Sequence, residues 1–148
     1  MANYPLKVIL VDDDEDDRLL FKKAMDELKI KTELVLFEEG IELMEFLNNG
    51  INKLPAIIFL DLNMPVKNGM ECLKEIRATD KFKDVSIAIY STSSSESDIE
   101  KTFIHGANIY IKKPYNYKKL KDVIDQVLKI KWQYFNSSLN RENFLMRL

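Results

Sequence analysis

Short apolar runs rich in β-branched residues alternate along this chain with helical periods, and that alternation leaves few folds open. Leu6–Val11 is one such run, residues 56–60, 85–90 and 108–111 are others, and Thr32–Phe37 is a weaker fifth. Between them, Phe21, Met25 and Leu28 fall at i, i+4, i+7. Leu120, Val123, Ile124, Val127 and Leu128 fall at i, i+3, i+4, i+7, i+8, the stripe of an amphipathic helix. Residues 41–47, 70–76 and 99–104 fill the remaining helical slots. Gly50, Pro55 and Gly106 stand at junctions, and Pro65 and Gly69 bracket a loop. Five strands alternating with five helices predict a doubly wound α/β fold, a parallel sheet covered on both faces.

The polar residues collect where such a sheet binds ligands, at the carboxyl ends of its strands. The first strand ends in Asp12 and Asp13, the third in Asp61, the fourth in Ser91 and Thr92, and the fifth in Lys112 and Lys113 before Pro114. Three carboxylates repel one another unless a cation sits among them. Hard oxygen ligands without His or Cys favour Mg²⁺ over zinc or copper. The lysine and the hydroxyls of Ser91 and Thr92 suit the oxygens of a phosphoryl group. The chemistry indicated is Mg²⁺-assisted phosphoryl transfer with one aspartate as nucleophile. Asp61 fits that role because it stands alone after an apolar strand, while Asp12 and Asp13 are better placed to hold the metal. Helix capping accounts for the rest of the acidic run, Asp14, Glu15, Asp16 and Asp17, with Asp14 as the cap. It does not account for Asp61 or the strand-end lysine.

The chain of 148 residues suits one domain. A single Cys excludes an intrachain disulfide and a Cys-rich zinc site, and a net charge of −2 weighs against a nucleic-acid binder. No apolar stretch approaches the ~20 residues that cross a bilayer, and Val8–Val11 is too short for a signal-peptide core, so the cytoplasm is the expected compartment. Lys112, Lys113, Lys118, Lys119, Lys121, Lys129 and Lys131 make the other end basic; meeting the acidic run in space would balance it.

From about Leu6 to about Ile130 the chain resembles the receiver domain of two-component response regulators. The matching segments are residues 8–13, residues 59–65 with Gly69, the pair Ser91-Thr92, and Lys113-Pro114. Four motifs in order, each at a strand end, are specific together. The resemblance implies a flavodoxin-like sheet of order 2-1-3-4-5 with five helices, a receiver domain over 1–131 and a C-terminal extension over 132–148 without an output domain. It implies that Asp61 accepts a phosphoryl group from a histidine kinase or a phosphotransfer protein. It also implies that Asp13, Asp61 and the main-chain carbonyl of Asn63 ligate Mg²⁺, with Asp12 acting mainly through water. Ser91 and Lys113 would contact the phosphoryl group, the Lys113–Pro114 bond would be cis, and Tyr110 would be the aromatic switch. Such a domain catalyses its own phosphorylation and dephosphorylation, without turnover of a free substrate. The altered face of helix 4, strand 5 and helix 5 would dock a partner or form a symmetric homodimer. Thr92 stands where Ala or Gly is usual, and Asn63 and Ser93 occupy positions that tune phosphate lifetime. Single-domain receivers with an aromatic extension resemble those that pair with phytochrome-type kinases.

Two alternatives stay open on the sequence: a constitutive binding module of the same fold, and a Mg²⁺-dependent phosphohydrolase. The second is weakened because Asn63 stands where haloacid-dehalogenase-type enzymes have a second acid. An acidic loop after the first strand disfavours a flavin site, and no GxxxxGK loop exists. His105 beside Gly106 reads as a helix end, and Cys72 as a buried small hydrophobe. Trp132, Tyr134 and Phe135 read equally well as a satellite cluster or as a partner surface. Residues 136–148 are expected to add a short helix, with Phe144, Leu145 and Leu148 as its apolar face.

Overall fold

The computed structural model describes residues 5–130 and 144–146. The elements run β1 (Leu6–Val11), α1 (Glu15–Asp26), β2 (Thr32–Phe37), α2 (Gly40–Asn48), β3 (Ile57–Leu60), α3 (Gly69–Arg77), a 3₁₀ turn (Asp80–Phe82), β4 (Ser86–Ser91), α4 (Glu96–Ile104), β5 (Ile109–Lys112), α5 (Tyr117–Lys129) and β6 (Leu145–Met146). All strand pairs are parallel, in the order β2-β1-β3-β4-β5-β6. The expected 2-1-3-4-5 core is therefore present, with one short strand added at the β5 edge.

Alternation along the strands sorts the core into two layers. Val8, Leu10, Phe59, Tyr90, Ile109 and Ile111 face one way, against Phe21, Ala24 and Met25 of α1 and Leu120, Val123, Ile124 and Val127 of α5. Ile9, Val11, Ile58, Leu60, Ile87, Ile89 and Tyr110 face the other way, against α2, α3 and Ile99 of α4. Strands buried on both faces favour apolar residues at consecutive positions, which is why β3 and the Ile87–Tyr90 stretch of β4 read as continuous runs, with the buried Ser86 and Ser91 at the ends of β4. The predicted α5 stripe is the buried one; each of its side chains contributes about 1.5–3 kcal/mol on leaving water.

Local signals fix the ends. Asp14 caps α1, as expected, its carboxylate accepting from Asp17 N at 3.0 Å. Asn68 and Glu71 form a capping box at α3. Asn116 caps α5 by accepting from the amides of Lys118 and Lys119. His105 closes α4, and Gly106 follows at φ 95°, the left-handed turn that ends helices. Cys72 is fully buried on α3, with its thiol pushed up to about 11 chiefly by burial.

Two expectations are corrected. Leu145–Met146 is not helical but pairs with β5 (Tyr110 with Leu145, Ile111 with Met146). The outer edge of β5 would otherwise present unpaired backbone groups, and a strand satisfies them where a helix cannot. The Lys113–Pro114 bond is trans, as are all peptide bonds among the described residues. Trans is the intrinsically favoured X-Pro isomer by about 0.5–1 kcal/mol. Trp132, Tyr134 and Phe135 lie outside the described residues.

Candidate phosphoryl-acceptor site

The strands deliver their polar residues by ending together. The amide of Asp12 donates to Phe37 O (3.0 Å), that of Asp61 to Val11 O (3.0 Å), and that of Lys113 to Ser91 O (2.8 Å). Each residue thus closes the last rung of a ladder, with its backbone as rigid as the sheet. Asp12 and Asp61 are 0% and 4% exposed, whereas Asp13 is exposed; one carboxylate oxygen from each of the three lies within 4.8 Å of the others.

Lys113 reaches into this cluster. Its Nζ is 2.8 Å from Asp12 Oδ2, 2.9 Å from Asp17 Oδ2 and 3.4 Å from Asp61 Oδ2. It also lies 5.3 Å from the centre of the Tyr90 ring. Burial works against the lysine's charge, but the close ion pair with Asp12, the hydrogen bond to Asp17 and the charge of Asp61 outweigh it, so its pKa is raised. Asp61 moves the opposite way from an ordinary ion-paired acid. Burial is the largest influence and raises it, Lys113 pulls it down, Asp12 pushes it up again, and it settles at about 6. Its carboxylate remains mostly ionised at neutral pH.

The loops lock the carboxylates in place. Asp12 Oδ1 accepts from Asp14 N (3.0 Å), and Asp61 Oδ1 accepts from Asn63 N (3.2 Å). Arg18 Nη1 donates to the Asp12 carbonyl at 2.7 Å and also pairs with Glu38. Gly69 lies directly against the chain at Asp61: a Cβ there would collide with the Asp61 carbonyl and come within 2.8 Å of Leu62 Cα. The glycine is required by close approach. Across the rim Ser91 is fully buried, and its Oγ accepts from Ser93 N (3.1 Å). Ser93 in turn donates to Asp98 (2.7 Å) and accepts at its carbonyl from the Tyr110 hydroxyl (2.9 Å). Thr92 is exposed, as is Asn63.

The structure therefore brings Asp12, Asp13, Asp61 and Lys113 together, with Ser91 closing the rung beside Lys113 and Tyr110 one hydrogen bond further out. Asp17 and Arg18 were not singled out as site residues from sequence, and Ser93 was noted only as a position that tunes phosphate lifetime. Asp17 carried a weak signal, since one helical turn beyond Asp13 returns to the same rim.

A buried polar atom tests whether a metal suits this site. Asp12 Oδ2 has no hydrogen-bond partner among the described residues, its contact with Lys113 being a charge contact off the hydrogen-bonding angle. A buried carboxylate oxygen with that spare capacity, in an all-oxygen cluster, fits a hard divalent cation.

The sequence profile of the response regulator receiver domain matches residues 8–125. The chain belongs to that family. Among its relatives, Response regulator Rcp1 of Synechocystis sp. (strain ATCC 27184 / PCC 6803 / Kazusa) is 31% identical over 123 residues, covering 80% of this chain and 84% of Rcp1. A crystal structure of the Mn²⁺-bound form of Rcp1 superposes with a TM-score of 0.76 at 29% identity, covering 83% of this chain and 91% of that one. The phosphorylated cyanobacterial phytochrome response regulator RcpA superposes with a TM-score of 0.78 at 29% identity, covering 93% of this chain and 98% of that one. The receiver fold and its place in two-component signalling are thereby shown. Receiver domains are the substrates of histidine kinases. No described helix is long and apolar enough to cross a membrane.

Proposed function

We propose that this receiver domain is a phosphorylation switch in which Asp61 accepts a phosphoryl group from a histidine kinase or a histidine phosphotransfer protein. The observation that carries the proposal is the arrangement of Asp61: buried, rigidly held, and shared between an acidic cluster and Lys113. A carboxylate oxygen of Asp61 attacks phosphorus, and the bond from phosphorus to the donor's imidazole nitrogen breaks. Lys113 carries positive charge to the oxygens of the transferred group. Ser91, whose oxygen accepts from Ser93 N and whose hydroxyl is in contact with that of Tyr110, would turn its proton to the same group. Thr92, exposed at the mouth, contributes to the phosphate-binding loop and narrows access.

Asp13, Asp61 and the carbonyl of Asn63 would hold Mg²⁺, with Asp12 acting through water. Such an ion would supply neutralising charge for the incoming phosphoryl oxygens. Support comes from Asp12 Oδ2, which has no hydrogen-bond partner among the described residues, and from Rcp1, which has been crystallised with Mn²⁺. Tyr110 would relay the phosphorylated state through Ser93 to the face of α4, β5 and α5, where a partner or a second copy docks. The match to a phytochrome response regulator crystallised in its phosphorylated form favours a phytochrome-type kinase as donor. In this reading residues 1–131 form the switch in the cytoplasm, and 132–148 are a C-terminal extension.

A second reading is a constitutive docking module. It is favoured by Tyr110, which is fully buried and already hydrogen-bonded. Intact-protein mass separates the two. Incubation with acetyl phosphate should add one phosphoryl group in the presence of Mg²⁺ and none after Asp61→Asn. Partner binding that is identical in wild type and Asp61→Asn would favour the constitutive module.

A further inference from the structure

We infer that Phe144 is a positioning residue for the phosphoryl chemistry, acting through Tyr110 and Ser93 on Ser91. The inference rests on the reading of Asp61 given above. Phe144 is fully buried although it immediately precedes a two-residue edge strand. Its ring meets Phe103 of α4 edge-on at 5.2 Å and Tyr110 of β5 at 6.3 Å. The next residue pairs in register with Tyr110 itself, so backbone and ring both fix Phe144 over that tyrosine.

Tyr110 has one polar atom, and it is committed. Its hydroxyl donates to Ser93 O at 2.9 Å. Ser93 holds the loop after β4 in four ways: through that carbonyl, through its amide on Ser91 Oγ (3.1 Å), and through its hydroxyl, which donates to Asp98 (2.7 Å) and accepts from Ser95 N (3.1 Å). The amide–Oγ contact sets which way the Ser91 hydroxyl can point. One lone pair is taken by Ser93 N, and the same hydroxyl is in hydrogen-bonding contact with that of Tyr110, so Ser93 and Tyr110 together fix its orientation. A Tyr110 ring free to leave its slot would release the Ser93 carbonyl and loosen that arrangement. Phe144 closes the slot from outside. The chain thus couples a residue far downstream of Asp61 to the geometry of the phosphoryl site through four contiguous residues, Phe144 and Tyr110 joined by ring packing and Ser93 taking part through its backbone. Aromatic contacts of this kind contribute enough to shift such an equilibrium severalfold. By linkage the coupling is reciprocal: a phosphoryl group that draws on Ser91 also tightens the seat of Phe144.

The test is a double-mutant cycle on the full chain, read as the rate of Mg²⁺-dependent labelling by acetyl phosphate alongside thermal unfolding. Phe144→Ala should slow labelling about fivefold or more. Tyr110→Phe keeps the ring that Phe144 packs on but removes the hydroxyl, and should slow labelling comparably. In that background Phe144→Ala should slow it no further while still lowering Tm. A Phe144→Ala protein with lowered Tm and wild-type labelling would show a merely structural role and overturn the inference. Equal slowing by Phe144→Ala in both backgrounds would overturn the route through the tyrosine hydroxyl. Should the alanine variant fail to fold, Phe144→Leu keeps the apolar volume without the ring; wild-type labelling in that variant overturns the inference. Absence of labelling in wild type is a different result, since it refutes the assignment of Asp61 itself and the inference with it.

Discussion

Replacing Gly69 by alanine should damage the site without touching any side chain in it. The added Cβ meets Asp61 O, Asp61 C at 2.9 Å and Leu62 Cα at 2.8 Å, all backbone atoms that cannot rotate away. Restoring ordinary contact at about 3.4 Å requires the chain at Asp61–Leu62 or the start of α3 to retreat by about 1 Å, the Asp61 carbonyl oxygen being the tightest contact. Overpacking of this kind costs about 1–3 kcal/mol, which for a domain of this size lowers Tm by roughly 3–10 °C. The same retreat misplaces the Asp61 carboxylate relative to Asp12 and Asp13. Sites tolerate about 0.5 Å of such error, so Mg²⁺ affinity should fall at least about tenfold. Gly50→Ala is the matched control: nothing lies within 4 Å of its added Cβ, and Tm and metal affinity should stay near wild type. Thermal melts followed by circular dichroism and calorimetric Mg²⁺ titration provide the readouts. A Gly69→Ala protein with native Tm and native Mg²⁺ affinity would refute the close-approach argument.

Lys113→Met removes the cation that three carboxylates share, so the metal-free variant should melt lower than wild type and gain more Tm from added Mg²⁺; equal gains in both proteins would contradict the shared-cation account. The pH dependence of the metal-free protein follows from Asp61, whose folded pKa of about 6 lies above its usual 3.8. The fold prefers the protonated acid, so this group's contribution is most favourable below pH ~4, is lost as pH rises toward 6, and amounts to at most about 3 kcal/mol. Urea melts from pH 4 to 7 should show that decline in wild type and not in Asp61→Asn. Cys72 is fully buried with its thiol pushed up to about 11, so the native protein at pH 8 should resist a thiol reagent that labels the unfolded chain at once.

Most of the fold was legible because it rests on local periodicity. The strands at β1, β3 and β4 are buried on both faces, and a continuous apolar run is the mark of that burial. Asp12, Asp61 and Lys113 were legible for a related reason: each is the polar residue that interrupts such a run at its carboxyl end, where parallel sheets place ligands. Asp17 was not, because its partner Lys113 is 96 residues away and an acid in the first turn of a helix is already explained by the helix. Ser93 was noted as a position that tunes phosphate lifetime but not as a hub of the loop, since its four contacts depend on how the loop after β4 folds back on Tyr110. The edge strand β6 left no trace. Two residues carry no period, and what fixes them is the unpaired edge of β5, which exists only once the sheet has formed.

The central claim is that phosphoryl transfer ends on Asp61. Labelling with acetyl phosphate and Mg²⁺, reduction with borohydride and peptide mapping test it directly, because an aspartyl phosphate is reduced to homoserine at the residue that carried it. The account predicts homoserine at position 61 alone, dependent on Mg²⁺. Homoserine at position 12 or 13, or none in protein that has gained the phosphoryl mass, would contradict it.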